Sequence, residues 1–439
     1  WQEMIQMIKS IRVQLLPNNK QNTKLFQFAG AARYAYNWAL SKQMDNFREG
    51  HKIQTDNDLR REFTILRHSE GSEWLQDVSN NVTKQAIKDL CIAYKNFFRK
   101  QKQPGYIKYS SKKIAHYNRI GKNLTVYDMN GHPKFRSKKN GDFRFYQDNI
   151  KIQFTETHVK LESLAGSRRK NRQRLNWIRL AEKNRIPVRA KYTNPRIAFD
   201  GERWWLSVGI QTARKLKPLR GLLFVCKKRR YVRSEGIGID LGIKDLAVLS
   251  DATKVRNINK TRAIRRLKKK RRRLQRQVSR KYQMNKKGES YCKTSNLIKS
   301  EKRLLRINHR LANIRQNHVH QATTAIIKRK TSFICLEDLN VRGMMKNRYL
   351  SEKIQEQNLY EFRRQIEYKA RWAKIPVVIA DRWYPSSKTC VICGHVKKDL
   401  NLSERTYVCP VCGNIIDRDF QAALNLKYYG EAEQMKSAS

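Results

Sequence analysis

The sequence predicts a multidomain α+β protein. An all-β unit, read as a barrel, is interrupted by a helical insertion and followed by an α/β domain that carries a metal-binding module. Three observations predict this. Short alternating runs separated by Gly, Asn and Asp turns fill residues 104–232. Residues 23–103 instead place apolar side chains three and four apart. From Gly236 onward, short apolar strands alternate with long helical stretches, the pattern of an α/β domain.

Taken in order, Ile8 to Leu16 alternates as one strand and Pro17-Asn18-Asn19 ends it. Leu25, Phe28, Ala29, Ala32, Tyr36, Ala39 and Leu40 line one helix face. A second helix runs from Asn81, with Val82, Ala86, Leu90, Ala93, Tyr94 and Phe97 as its stripe. Strands are expected at 124–127, 143–146, 150–154 and 204–210, with Ile8–Leu16 as the first strand of the same unit. The basic stretches 166–174 and 214–233 read as loops that order on nucleic acid. Ile237, Ile239 and Leu241 mark a strand, and 258–330 reads as a helical hairpin. Thirteen of the 22 residues in 260–281 are Lys or Arg, yet Ile264, Leu267, Leu274 and Val278 keep an apolar stripe. Phe333–Glu337 and Val377–Ala380 are further buried strands.

The chain has 439 residues with 95 Lys+Arg against 37 Asp+Glu, a net charge of +58. That excess excludes a charge-balanced metabolic enzyme and calls for an extended polyanion, because self-repulsion on this scale weakens a compact state. A hydrophobic content of 39% excludes a purely disordered basic tail. No run of about 18 apolar residues occurs, so no transmembrane helix, no membrane partner and a cytoplasmic location are expected.

Cys390-x-x-Cys393 and Cys409-x-x-Cys412 are separated by fifteen residues, and Gly394 and Gly413 follow them. Two such knuckles suit four thiolates around a structural Zn²⁺. Cys91, Cys226, Cys292 and Cys335 lack that spacing and read as small hydrophobes.

Acids on apolar strands stand out in so basic a chain. Asp240 and Glu337 end two strands, Asp338 follows, and Asp417-Arg418-Asp419 opens a helix that Asp419 can cap. Carboxylates converging from separate elements can hold two Mg²⁺ ions for phosphodiester hydrolysis. The competing reading, for any one of them, is an ordinary cap or surface acid.

Gly236-Ile-Gly-Ile-Asp240-Leu-Gly, Ile334-Cys-Leu-Glu337-Asp-Leu-Asn, Arg382-Trp-Tyr-Pro-Ser-Ser-Lys-Thr-Cys390 and Asp417-Arg-Asp419-Phe-Gln-Ala-Ala-Leu-Asn425 occur in that order. Together they resemble the RuvC and zinc-ribbon signature of TnpB, a family of transposon-encoded RNA-guided DNA endonucleases related to type V CRISPR effectors. Lys9-Ser-Ile-Arg12, Pro133–Lys139 and Lys191–Pro195 extend the resemblance over nearly the whole chain.

The resemblance implies a wedge β-domain (1–22 and 104–232) with an inserted helical recognition domain (23–103). It also implies an RNase H-like RuvC domain (233–387 and 414–439) with an inserted zinc ribbon (388–413). It implies an Asp240, Glu337, Asp419 site with two Mg²⁺ ions, Gln421 standing where Asn is usual. It implies a monomer with one guide RNA, made of a scaffold and a variable guide, which cleaves double-stranded DNA beside a short motif, associated with the nucleoid when on target. Base pairing would then select the target and the protein would hold the heteroduplex by its backbone.

Arg265, Arg266, Lys269, Arg272 and Arg273 are the candidate backbone contacts, with a solvated helix face as the alternative for some. Asn80, Asn81, Lys84 and Gln85 are candidate readers of the adjacent motif, a helix cap by Ser79 or Asn81 being the alternative. Tyr106, Tyr109, Tyr117, Phe135 and Tyr146 are core residues or base-stacking platforms. Competing readings of the whole chain are a compact type V CRISPR effector, an unguided RuvC-like nuclease, a transposase proper and a non-enzymatic zinc-ribbon RNA binder.

Overall fold

In a computed structural model, the residues described are 5–138, 141, 143–162, 164, 175–214, 235–288, 290–401 and 404–438. The chain divides into two compact units, Trp1–Leu223 and Phe224–Ser439.

The first unit opens with strand β1 (Ile5–Leu16) and helices α1 (Asn19–Arg48), α2 (Asp56–His68), α3 (Asn80–Gln101) and α4 (Ser111–Arg119). Strands β2 (Arg144–Tyr146), β3 (Gln153–Phe154), β4 (His158–Lys160), β5 (Trp177–Leu180), β6 (Lys191–Phe199) and β7 (Trp204–Arg214) follow. They form one antiparallel sheet in the order β2-β6-β7-β1-β5-β4-β3. No pairing among the described residues joins β2 to β3, so the expected barrel is an open sheet with short edge strands.

Helix α1 begins four residues before the predicted helical region, because Asn18 and Gln21 form a reciprocal capping box. The helices and the sheet share one continuous core. Phe26 of α1 meets Phe143, Phe199 and Trp204 edge-on, at centroid distances of 5.2, 5.1 and 5.0 Å. Asp89 of α3 accepts two hydrogen bonds from Arg196 of β6, at 2.5 and 2.9 Å.

Two expected strands are corrected. Residues 124–127 instead lead into a 3₁₀ turn, Val126–Asp128, whose Asp128 carboxylate accepts from the Thr125 amide and hydroxyl. The run 150–154 is strand only at Gln153–Phe154, because Asp148 accepts from the amides of Ile150 and Lys151 and turns the chain there. The basic stretch 166–174 and residues 215–233 lie outside the described residues.

The second unit is built from β8 (Ile237–Leu241), β9 (Asp245–Leu249), β10 (Lys254–Arg256) and α5 (Arg262–Met284). A two-stranded tip, β11 (Lys286–Lys287) and β12 (Ser290–Tyr291), turns the chain into α6 (Ser295–Lys328). Then come β13 (Ile334–Glu337), α7 (Val341–Met344), α8 (Ser351–Gln357), α9 (Leu359–Ala373) and β14 (Val377–Ala380). The hairpin β15 (Thr406–Val408)–β16 (Ile415–Asp417) and helix α10 (Arg418–Ala438) complete it.

Its sheet has the order β10-β9-β8-β13-β14, with β8, β13 and β14 parallel and β9 and β10 antiparallel. Ile237, Ile239, Ile334 and Leu336 share a core with Val319 of α6 and Phe362 and Ile366 of α9. The other face is covered by α10, where Leu426 packs with Phe333 and Cys335. The predicted hairpin is formed by α5 and α6 around Ile264, Ile307 and Leu311. Its base is held by Glu356, which pairs with Lys268 and, at 2.9 Å, with Arg315. No helix among the described residues is long and apolar enough to cross a membrane.

Candidate carboxylate centre and cysteine cluster

Strands β8 and β13 run in parallel with Leu336 beside Ile239, and the next residue along each is Glu337 and Asp240. Side chains alternate along a strand. Ile239 and Leu336 therefore enter the α6–α9 core, while Gly238, Asp240, Cys335 and Glu337 point to the α10 face. Gly238 allows α10 to lie directly on the strand, since a Cβ there would sit 2.1 Å from the Ala423 carbonyl oxygen and 2.4 Å from the Lys427 amide. Further along the same helix, a Cβ on Gly430 would meet Phe333 at 2.3 Å, so α10 runs antiparallel to the strands. One helical turn before Ala423, about 6 Å along the axis, comes Asp419. Two residues along β8 from Gly238, about 7 Å, comes Asp240. The close approach at Gly238 thus brings Asp419 to the same end of the sheet as Asp240 and Glu337.

The electrostatics agree with that placement. Burial pushes the Asp240 carboxyl well above the usual range, and the nearby Glu337 and Asp419 push the same way, while Arg418 opposes them. Burial also raises Glu337, against the pull of a hydrogen bond from Ser386. Asp419 lies 3.6 Å from the Arg405 guanidinium and 3.7 Å from that of Arg418. Neighbouring carboxylates whose ionised forms repel one another are a donor set that suits a hard divalent cation such as Mg²⁺.

Two supporting residues went unassigned in the sequence. The Asn425 side-chain amide donates to the carbonyl oxygens of Ser386 and Thr389, both at 2.7 Å. The Ser386 hydroxyl in turn donates to Glu337. The available signal was an Asn inside the apolar stripe of α10, where it needs partners. Gln421, one turn before Asn425, is fully buried, and neither end of its amide has a partner among the described residues.

The neighbouring acids are engaged elsewhere. Asp338 points off the site, and hydrogen bonds from Arg363 and Arg382 hold its carboxyl below the usual range. The cap of α10 is Asp417, not Asp419: its carboxylate accepts from the amides of Asp419 and Phe420 at 3.0 and 3.1 Å. Burial acts to raise the Asp417 carboxyl, but Lys254, at 3.0 Å, and those amides hold it below its ordinary value.

The four predicted cysteines converge. Cys390 and Cys412 place their sulfurs 3.5 Å apart, as do Cys393 and Cys409, and all four sulfurs lie within 4.8 Å of one another. A tetrahedron with Zn–S bonds of about 2.3 Å has edges of about 3.8 Å, so the cluster fits Zn²⁺. Gly394 and Gly413 both have φ of +71°, which closes each knuckle without strain. Tyr407, fully buried, packs against Cys390 and Cys409. Among the described residues no other such group meets that spacing; the three carboxylates are not drawn so close.

Arg265, Arg266, Lys269, Arg272 and Arg273 are all exposed on α5, whereas the intervening Lys268 and Arg271 pair with Glu356 and Glu352. At the start of α3 the four predicted base readers separate. Ser79 is the cap and accepts from the Asn81 amide. The Asn81 side chain donates to Asp148 and Glu162, each at 3.1 Å, and Gln85 donates to Asp89 at 2.9 Å. Asn80 and Lys84 lack such ties to described carboxylates, and Lys84 is exposed. Of the candidate stacking rings, Tyr106, Tyr109, Tyr117 and Tyr146 direct their hydroxyls to Asn130, Thr125, Asp128 and Asn149, while Phe135 is exposed.

Three family models match the sequence. A "Helix-turn-helix domain" of the OrfB_IS605 group matches residues 4–52, the OrfB_IS605 "Probable transposase" matches 229–348, and a "Cas12f1-like, TNB domain" matches 360–426. Over 441 residues the chain is 26% identical to "Putative RNA-guided DNA endonuclease InsQ" of Escherichia coli (strain K12), covering 97% of this chain and 93% of the relative. It is 28% identical over 444 residues to a "Putative RNA-guided DNA endonuclease" of Streptomyces pristinaespiralis, covering 98% and 91%. A solved structure of a mini-RNA-guided endonuclease, CRISPR-Cas phi3, aligns over 98% of this chain and 93% of its own with a TM-score of 0.44 and 12% identity, too loose a likeness to transfer any residue. The chain is thus similar to OrfB_IS605 proteins over residues 4–52 and 229–348, and to the two named relatives over nearly its full length.

Proposed function

We propose that this protein is an RNA-guided DNA endonuclease of the TnpB type that hydrolyses phosphodiester bonds at Asp240, Glu337 and Asp419. The observation that carries the reading is the meeting of three acids from β8, β13 and α10 at one end of a sheet, with burial and mutual repulsion raising Asp240. The names of the full-length relatives supply the guided character.

In this reading Asp240, Glu337 and Asp419 would hold Mg²⁺, and the bound ions would supply Lewis-acid chemistry for phosphodiester hydrolysis. The chain's own part is positional. Ser386 fixes the rotamer of Glu337, Asn425 fixes Ser386, and Asp417 secures the first turn of α10 so that Asp419 stays in place. The cysteine cluster holds Zn²⁺ as a structural ion and braces the segment that leads from Ser386 into the ribbon. The domain boundaries follow the implied wedge, recognition, RuvC and ribbon order. The exposed cations of α5 contact nucleic-acid backbone, and Asn80 and Lys84 read the adjacent motif, with Asn81 and Gln85 supporting the helix that presents them.

The test is to sequence the RNA that co-purifies from cells carrying the native locus. A dominant scaffold with a variable 3′ end is expected, and its variable end defines a DNA target to be cut. Random host fragments would contradict guided action and leave an unguided RuvC-like nuclease. The match of 360–426 to a Cas12f1-like domain favours one second reading, a compact type V CRISPR effector, which a repeat-derived 5′ scaffold would identify.

A further inference from the structure

The first unit holds a cleft of about 660 Å³ that the proposed chemistry does not use. Its lining includes Gly30, Arg33, Tyr34, Trp38, Trp74 and Asp77. Its volume is within the range of small-molecule sites. Tyr34 and Trp74 stand edge to face, 5.3 Å between centroids, and both are exposed at 39% and 47%. Large rings left this open at the mouth of a cleft offer faces to a further flat group.

Gly30 is the sharper observation. It lies inside α1, where Gly weakens a helix relative to Ala. Packing does not demand it, since a Cβ there would meet nothing within 4 Å. The open space above it is the floor of the cleft, and Gly in such a place lets a ligand approach the helix closely. Arg33, one turn on, lines the cleft with its guanidinium over the Phe143 ring at 5.8 Å, and its buried Nη1 has no hydrogen-bond partner among the described residues. Because Arg33 lines the cleft, its remaining guanidinium nitrogens are the donors that face an acceptor arriving with a ligand.

We infer that this cleft binds one unpaired guanine nucleotide. The aromatic walls offer stacking to any base. Arg33 matches the O6 and N7 acceptors of guanine, and Asp77 provides the acceptor that the guanine N1–H and amino group require. A phosphate alone would not be served by a cleft lined with a carboxylate. The +58 charge makes nucleic acid, rather than an apolar peptide, the occupant to which the chain is complementary. The inference goes beyond the nuclease reading and does not depend on it, because binding is measured without cleavage.

The probes are an eleven-nucleotide oligouridine with one central G, the same strand with central A, C or U, and the corresponding oligodeoxythymidine set. Binding to the purified full chain is followed by fluorescence polarisation and tryptophan quenching, without added divalent cation and at raised salt. The central G is expected to tighten binding by about tenfold over the other bases. Arg33→Gln should abolish that gain while leaving affinity for the all-U strand unchanged, and Trp74→Ala and Gly30→Leu should abolish it while weakening the central-G strand more than the all-U strand. Gly30→Ala serves as a folding control that should hold or raise Tm. A gain in the ribose set alone names RNA as the source of the base, and a gain in the deoxyribose set alone names DNA. Equal affinity for all central bases in both sets would overturn the inference. So would variants that weaken every strand alike, since the cleft would then act only through charge.

Discussion

Asn425 of α10 donates its side-chain amide to the backbone carbonyl of Ser386 at 2.7 Å, and through the Ser386 hydroxyl it governs where Glu337 points. Ser386→Ala should therefore slow DNA cleavage about 10- to 100-fold, the usual effect of removing a partner that orients a metal-binding residue. RNA binding should be unchanged. Asn425→Ala leaves two carbonyl oxygens without their donor and should also destabilise the second unit by about 1–3 kcal/mol. Cleavage rates and urea midpoints of the two variants separate these effects.

Gly238→Ala tests the packing that brings the acids together. Its Cβ would collide with backbone of α10 at Ala423 and Lys427, which no side-chain rotation relieves. The helix must shift, and Asp419 moves with it. Loss of cleavage together with a Tm drop of several degrees is expected. Retention of both would show that α10 does not rest on β8 as described.

One zinc per chain is expected by metal analysis, falling to none in Cys409→Ser combined with Cys412→Ser. Strong chelation should unfold the ribbon segment while the sheet of the second unit survives, because Tyr407 and the cysteines form a small cluster of their own. Retained zinc in the double variant would contradict the assignment.

The ion pair between Asp89 and Arg196 gives the first unit a pH signature. Burial acts to raise the Asp89 carboxyl, but hydrogen bonds from Arg196 and Gln85 hold it below its ordinary 3.8. A carboxyl lowered by folding contributes stability that is complete above its unfolded value and is lost as pH falls through the folded one. Asp89→Asn should cost about 1–3 kcal/mol at pH 7, and the difference from the parent should shrink below about pH 4. Urea titrations at pH 7 and pH 3 measure it.

Where chemistry is local, the sequence announces it. The cysteine spacing led directly to the observed cluster, and alternation at Ile237–Leu241 and Phe333–Glu337 marked the strands that present Asp240 and Glu337. Capping was less legible: Asp417 and Asp419 are both able to cap α10, and only the hydrogen bonds separate them. Asp148 and Asp128 turned expected strands into turns, because a carboxylate two or three residues away competes with the ladder for backbone amides. The roles of Asn81 and Gln85 depended on Asp148, Glu162 and Asp89, of which the first two lie far along the chain. The cleft above Gly30 needed the folded helix to appear at all.

The most direct test is a cleavage assay with the purified protein, its co-purified RNA, matched target DNA and Mg²⁺, comparing the parent with Asp240→Ala. The account predicts that the parent cuts only matched DNA and that Asp240→Ala binds the same RNA and target but leaves the DNA intact. Undiminished cutting by Asp240→Ala would contradict it.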